Sequence, residues 1–229
     1  MEVKMIEKLI KMNRSRFDYS IETQIKLRTI FCFLPMLFSE IYASLEYGTD
    51  ILMRFYYLTT IGAGMCLMTE AMGVYILICD LNKITPTYFL LRLHHMMFEC
   101  SFVCQYLITL VYWVLLHRDD HKTGYYYNLA IIHHTFPIVV ATIALILWRY
   151  KFKVTDFKYI LTFGLTYTFN NFLQTKLLPR SPYNFLTWEG IESVIAVIIL
   201  TAIFGSFYLL IWFVLKHITT NEDEKEKIQ

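Results

Sequence analysis

The sequence predicts an all-α polytopic membrane protein, a bundle of six transmembrane helices with both termini in the cytosol. Three observations lead to this prediction: the apolar composition, the length of the apolar segments and the distribution of basic residues. Of the 229 residues, 56% are hydrophobic and 17% are charged, and the mean hydropathy is +0.44. Soluble domains carry about 25% charged residues, so a soluble globular domain is excluded.

Six apolar segments follow one another, each close to the ~20 residues that a helix needs to cross a hydrocarbon core of about 30 Å. They span residues 28–45, 55–79, 96–116, 125–148, 157–176 and 192–215. The first is the weakest, because it is short and contains Pro35 and Glu40. The connections are too short to hold a second domain, so we expect one transmembrane domain over residues 28–216.

Basic residues are concentrated on one side of this predicted bundle. Sixteen of the lysines and arginines fall on the side of the N-terminus and five on the other, which places both termini in the cytosol. Residues 1–27 then form a basic arm, either an amphipathic helix on the membrane surface or a disordered tail. Residues 217–229 form a charged cytosolic tail, in which Lys225 and Lys227 resemble a retrieval signal for the endoplasmic reticulum.

The second segment carries a face of small and partly polar residues at helical spacing. This face consists of Thr59, Gly62, Ala63, Cys66, Glu70 and Gly73. Small residues let neighbouring membrane helices approach closely, so we expect this face to pack against another helix. The five cysteines of the chain all lie in or at the ends of apolar segments, and we expect them to be free packing residues.

Polar side chains fall at one level of the bundle, in the half of the membrane away from the termini. At a rise of ~1.5 Å per residue, two residue pairs, Thr59-Thr60 and His133-His134, lie within about two turns of that face. Other segments bring Glu40, Asn170, Asn171, Gln174, Glu192 and Ser193 to the same level. Ionisable groups at membrane depth rarely face lipid, so we expect these side chains to converge on an internal cavity.

A hydroxyl and an imidazole at the same depth suggest nucleophilic hydrolysis, because a hydroxyl nucleophile needs a base within hydrogen-bond reach. Thr59 and His134 have the required identity and depth, and a structural cluster of polar side chains is the alternative. Pro137 follows the histidine pair by one turn and frees the backbone carbonyl of His133. This proline either kinks the helix or aims the imidazoles.

Two other functions were weighed against the pattern. The His94-His95, His117–His121 and His133-His134 pairs lie at three different levels of the predicted bundle, whereas the ligands of one metal ion must converge, so we expect no metal. Buried Glu70 and Glu99 are compatible with a small transporter. However, the sequence contains no internal repeat and no broken-helix pair.

Several short motifs occur in a family-specific order: F-Y-Y-L-T-T-I-G around Thr59, then I-C-D-L, then H-H-T-F-P around His134, then Y-N-F-L before the last segment. In these motifs, from about Arg54 to Lys216, the chain resembles the androgen-induced and androgen-dependent TFPI-regulating membrane proteins. The resemblance implies a six-helix intramembrane threonine hydrolase that cleaves fatty acid esters of hydroxy fatty acids.

On that resemblance Thr59 is the nucleophile and His134 the base, with Thr60 and His133 as their immediate neighbours. Glu40 or Glu192 would orient the imidazole, and Asn170, Asn171 or a backbone N–H would stabilise the oxyanion. No cofactor, metal or nucleic acid is implied, and the substrate is a lipid ester from the bilayer. The remaining alternative is a non-catalytic membrane subunit or regulator with the same fold.

Overall fold

The computed structural model describes residues 2–47, 57–117, 125–177, 183 and 185–225. Within these ranges the chain is helical and contains no β-strand, which confirms the all-α prediction. The helices are α1 Glu2–Met12, α2 Ile21–Arg28, α3 Leu34–Tyr47, α4 Leu58–Leu81, α5 Tyr88–Val111, α6 Tyr125–Leu147, α7 Phe157–Leu177 and α8 Ile191–Lys225. A π-helical turn, Thr29–Phe33, joins α2 to α3, and a second, Tyr112–Leu116, extends α5.

Four of the described helices are long and apolar enough to cross a membrane. The membrane-length stretches are Leu58–Leu81, Tyr88–Leu116, Ala130–Leu147 and Ile191–His217. They correspond to four of the six predicted segments, which supports a membrane protein with several spanning helices. The predicted spans at 28–45 and 157–176 contain no described helix that is both long and apolar enough, so they remain predictions.

Two boundaries differ from the predicted ones. Helix α5 begins at Tyr88 rather than at residue 96, because the Thr87 hydroxyl accepts a hydrogen bond from the Leu90 N–H and caps its first turn. Helix α8 continues to Lys225, so the first part of the predicted tail is helical. Residues 55 and 56 of the second predicted span, His121 and Lys227 lie outside the described residues.

The chain divides into two compact units, Met1–Tyr150 and Lys151–Gln229. In the first unit α5 packs against both α4 and α6, and α3 packs against the same two helices. The short connection from α4 to α5 makes these two helices antiparallel neighbours. In the second unit α7 packs against α8.

Helix α1 is amphipathic as predicted, but its apolar face packs on protein. Leu9 and Met12 form a buried cluster with Ile76 of α4 and Leu91 of α5. The exposed face carries the predicted lysines at positions 4, 8 and 11. The apolar face therefore packs against the bundle, whereas the sequence predicts either a helix on the membrane surface or a disordered tail.

The residues after α1 connect this helix to the ends of α4 and α6. Arg14 donates two hydrogen bonds of 2.9 Å to the carboxylate of Asp80 at the end of α4. The Arg16 N–H donates to the Leu147 carbonyl at the end of α6, at 2.9 Å. The Arg14–Asp80 pair is partly exposed and contributes at most about 1 kcal/mol, so the backbone contacts also matter for holding this segment.

Arg28 is the centre of a buried polar network at this end of the bundle. Its side chain is fully buried, and Nε donates to Glu70 Oε2 of α4 at 2.9 Å. Its Nη2 lies 3.3 Å from His94 Nε2 of α5 and donates to the Tyr150 hydroxyl. The guanidinium also lies over the Trp148 ring, 4.9 Å from its centroid. Burial raises the pKa of the Tyr150 phenol, so it stays neutral and accepts this hydrogen bond.

The Arg28 guanidinium occupies the space beside Gly73, one turn along α4 from Glu70. A Cβ built on Gly73 would overlap the guanidinium carbon and two of its nitrogens. Glycine is therefore required here because it leaves room for the side chain of another helix. Gly64 of the same helix differs, since nothing lies within 4 Å of its built Cβ.

Gly73→Ala should lower the thermal stability of the protein in detergent or nanodiscs. The added methyl displaces Arg28 and leaves Glu70 as a buried charge without its partner, which costs about 3 kcal/mol or more. Gly64→Ala is the matched control, because alanine replaces glycine in the same helix without a clash. It should leave stability unchanged or raise it by up to about 1 kcal/mol. Equal melting temperatures for the two variants would contradict the assigned packing.

Candidate functional site

Thr59 is the second residue of α4 and lies in its first turn, after the N-cap residue Tyr57 and Leu58. The side chains of Thr59 and Thr60 are both buried. Tyr57 makes no side-chain capping hydrogen bond, and a helix begins with N–H groups that have no helical acceptor. The hydroxyl of Thr59 is therefore close to a helix terminus that favours negative charge.

Gly62 brings this part of α4 against α5. A Cβ built on Gly62 would lie 2.7 Å from Ile108 Cδ1, 3.2 Å from Cys104 Sγ and 3.2 Å from Gln105 Nε2. Thr59 precedes Gly62 by three residues, so the two share a helix face. The predicted small-residue face of α4 is confirmed, because Thr59, Gly62, Ala63, Cys66, Glu70 and Gly73 are all buried.

His134 lies on α6 and contacts α5 through both its ring and its backbone. The imidazole stacks on Tyr112, with ring centroids 3.7 Å apart and planes 9° from parallel. The Thr109 hydroxyl donates to the His134 carbonyl at 2.8 Å. The His133 side chain is buried, and its ring meets that of His134 edge-on at 5.8 Å between centroids.

Pro137 does not end α6, which runs unbroken from Tyr125 to Leu147. The sequence predicts that this proline frees the His133 carbonyl. The side-chain hydroxyl that reaches this turn, from Thr109, binds the next carbonyl, that of His134. This hydrogen bond fixes the backbone of His134, and the ring stack on Tyr112 orients its imidazole.

Helix α5 serves as a common reference for the two candidate residues. Gly62 of α4 lies against residues 104–108 of α5, and α4 runs antiparallel, so Thr59 lies about one turn further along, towards Tyr112. His134 contacts Thr109 and Tyr112. The turn that carries Thr59 and the turn that carries His134 therefore flank the same stretch of α5.

Glu40 lies on α3 in the same unit and is half-buried. Helix α3 packs against both α4 and α6, the helices that carry Thr59 and His134.

The other supporting candidates lie in the second unit. Asn171 is fully buried, and its Oδ1 accepts a hydrogen bond of 2.9 Å from the indole N–H of Trp188. Asn170 Oδ1 accepts from Gln174 Nε2 at 3.2 Å, one turn along the same helix. Glu192 is exposed in the first turn of α8. Within this unit Asn171 positions a tryptophan, and a contribution of these residues to an oxyanion site stays a prediction.

Trp188 is a residue that the sequence reasoning missed. Its backbone N–H donates to Ser193 Oγ, its carbonyl accepts from Lys176 Nζ, and both distances are 2.9 Å. Its φ of 58° lies in the left-handed region, which is uncommon for a bulky side chain. Ser193, predicted to face an internal cavity, binds this backbone.

His94 and His95 lie in the second turn of α5, before the start of the third predicted span at residue 96, because this helix begins at Tyr88. Both side chains are buried. His94 Nε2 contacts Arg28 and Tyr150, and His95 Nε2 lies 3.2 Å from Glu99 Oε1. The sequence signal for this network was Glu70. A carboxylate inside a membrane span requires a partner, and the basic residue Arg28 lies at the start of the first predicted segment.

The described residues form an all-helical fold with four helices long and apolar enough to cross a membrane and with buried polar clusters. A scan against models of known protein families, a search of curated proteins and a search of solved structures found no match to this chain. Function is therefore argued from the residues and their geometry.

Tyr112→Ala should make His134 more reactive towards diethyl pyrocarbonate, because the variant removes the ring that covers one face of the imidazole. Tyr112→Phe keeps the stacked ring and is the matched control, with a rate close to that of the wild type. The measurement is modification at His134, followed by mass spectrometry of the derived peptide. Equal rates in the alanine and phenylalanine variants would show that Tyr112 does not cover His134.

Proposed function

We propose that the protein is an intramembrane lipid ester hydrolase in which Thr59 is the nucleophile and His134 the general base. The observation that carries the proposal is that Thr59 and His134 flank the same stretch of α5, with the threonine buried and the imidazole stacked on Tyr112. The proposed substrates are fatty acid esters of hydroxy fatty acids, as the resemblance implies.

The proposed reaction has two steps. His134 accepts the hydroxyl proton of Thr59 as its oxygen attacks the ester carbonyl carbon, and the tetrahedral intermediate expels the hydroxy fatty acid, which takes that proton. Water then attacks the acyl-threonine ester, again losing a proton to His134. The fatty acid leaves, and the proton returns to Thr59.

The surroundings of Thr59 and His134 favour this chemistry. The start of α4 offers backbone N–H groups near the Thr59 hydroxyl, where negative charge develops in the transition state. Tyr112 stacks on the imidazole and Thr109 fixes the His134 backbone, which reduces the freedom that must be lost on reaching the reactive geometry. The apolar surroundings suit an ester with two long acyl chains.

The proposal includes a membrane arrangement. All six predicted segments span the bilayer and both termini face the cytosol, which the bias of basic residues supports. The tail that contains Lys225 and Lys227 then retains the protein in the endoplasmic reticulum. Exposed apolar side chains, such as Ile198 and Leu210 of α8, would face lipid, and the substrate would enter from the bilayer.

Thr59→Ala and His134→Ala should each lower ester hydrolysis by purified protein at least about 100-fold while the protein still folds. Thr59→Ser keeps a hydroxyl and should retain measurable turnover. Thr60→Ala is the control for the neighbouring hydroxyl and should stay active. The assay is turnover of a panel of lipid esters, and full activity in either alanine variant would reject the assignment.

A fluorophosphonate probe separates the hydrolase from a non-catalytic regulator with the same fold. A reactive threonine should be labelled in the wild type, and Thr59→Ala should not be labelled. Folded protein that neither reacts with the probe nor hydrolyses any ester of the panel would favour the regulator.

A further inference from the structure

Gln105 of α5 has a buried amide nitrogen without a partner in the described part of the chain. Its side chain is 1% exposed, and among the described residues no hydrogen-bond partner reaches its Nε2. The same holds for His94 Nδ1 on this helix, but Gln105 differs in lying beside Gly62 of α4, one turn from Thr59. A buried donor without a partner is disfavoured, most of all at membrane depth, so a bound ligand with an acceptor oxygen would be favoured here.

The position of this amide connects it to the proposed reaction. Gln105 Nε2 lies 3.2 Å from the point where Gly62 would carry a Cβ, so the amide occupies the space that glycine leaves on α4. Thr59 is one turn away on the same face of α4. Gln105 is also one turn from Thr109, which binds the His134 carbonyl. The amide therefore lies in the corner of α4, α5 and α6, one turn deeper than the proposed nucleophile.

We propose that Gln105 donates a hydrogen bond to the carbonyl oxygen of the bound ester and stabilises the oxyanion that forms there. This inference rests on the proposed hydrolase function and names a donor on α5, distinct from Asn170 and Asn171. One helical turn is about 5.4 Å. This separation accommodates a carbonyl group between a nucleophile that approaches to about 3 Å and a donor at about 2.9 Å.

The Gln105 amide stabilises the negative charge that develops on the carbonyl oxygen and takes no part in the proton transfer. As the Thr59 oxygen bonds to the carbonyl carbon, the carbonyl π electrons move to oxygen, and Gln105 Nε2–H donates to this oxygen. When the intermediate collapses, the electrons re-form the carbonyl and the ester C–O bond breaks. The leaving alkoxide takes the proton that His134 holds. A neutral amide suits this task, because it leaves no buried charge in the resting site.

The test compares Gln105→Met with the wild type in the lipid ester assay. Methionine has a similar length but no donor, so kcat should fall about 100- to 1,000-fold with little change in KM. The melting temperature should not fall, because the wild-type donor has no described protein partner to lose. Gln105→Leu gives a second variant, and Ser101→Ala is the control on the same helix, which should keep wild-type kcat.

The outcomes separate this inference from the proposed function. Wild-type kcat in Gln105→Met, with Thr59→Ala inactive, overturns the role of Gln105 and leaves the hydrolase intact. A loss of activity in both Gln105 variants that follows an equal loss of folded protein overturns it as well, since the residue would then be structural. A folded wild-type chain that hydrolyses no ester overturns the hydrolase and this role with it.

Discussion

The buried ion pair between Arg28 and Glu70 is the constraint on which the first unit depends. Two charges at this depth are stable only as a pair, and removing one partner costs about 3–5 kcal/mol. The pair joins the end of α2 to the middle of α4, and His94 and Tyr150 extend it to α5 and to the chain after α6. One guanidinium therefore fixes the relative axial positions of three long helices.

That constraint at one end has consequences at the other end of the bundle. Helices are stiff rods, so the axial positions set near Arg28 determine which residues of α4, α5 and α6 meet further along. Gly73 and Gly62 allow the close approach at both levels, the first to Arg28 and the second to α5. The level shared by Thr59 and His134 is a product of this packing, and the stack on Tyr112 and the Thr109 hydrogen bond to the backbone then hold the His134 turn against α5.

The sequence predicts the helical architecture, six membrane spans, of which four are helices of membrane length in the described residues, and the small face of α4. These features depend on apolar content and on helical spacing alone. The sequence starts the third predicted span only at residue 96, because the apolar run becomes continuous there, whereas the Thr87 cap starts α5 earlier and brings His94 and His95 into the helix. It places Arg28 at the cytosolic boundary because residue counts give depth and not the partner that an arginine faces.

The candidate site likewise contains features that the sequence predicts and features that it does not. The level of Thr59 and His134 is predicted by counting residues, and the structure buries Thr59 on α4 and leaves His134 partly exposed on α6. The contacts of Tyr112, Thr109 and Gln105 had no signal in the sequence, since each depends on which face of α5 meets a neighbour. Trp188 likewise depends on tertiary hydrogen bonds in the second unit.

Cysteine cross-linking in native membranes tests most directly whether the two proposed reactive residues meet. In a Thr59→Cys/His134→Cys variant, mild oxidation or a short thiol cross-linker should join the two positions, as peptide mapping by mass spectrometry would show. The single variants control for the five native cysteines, and Thr59→Cys/Val139→Cys pairs the same position with an exposed site on α6. Efficient linkage of positions 59 and 134 alone is the predicted result. Linkage that is absent, or no greater than for positions 59 and 139, would contradict the account.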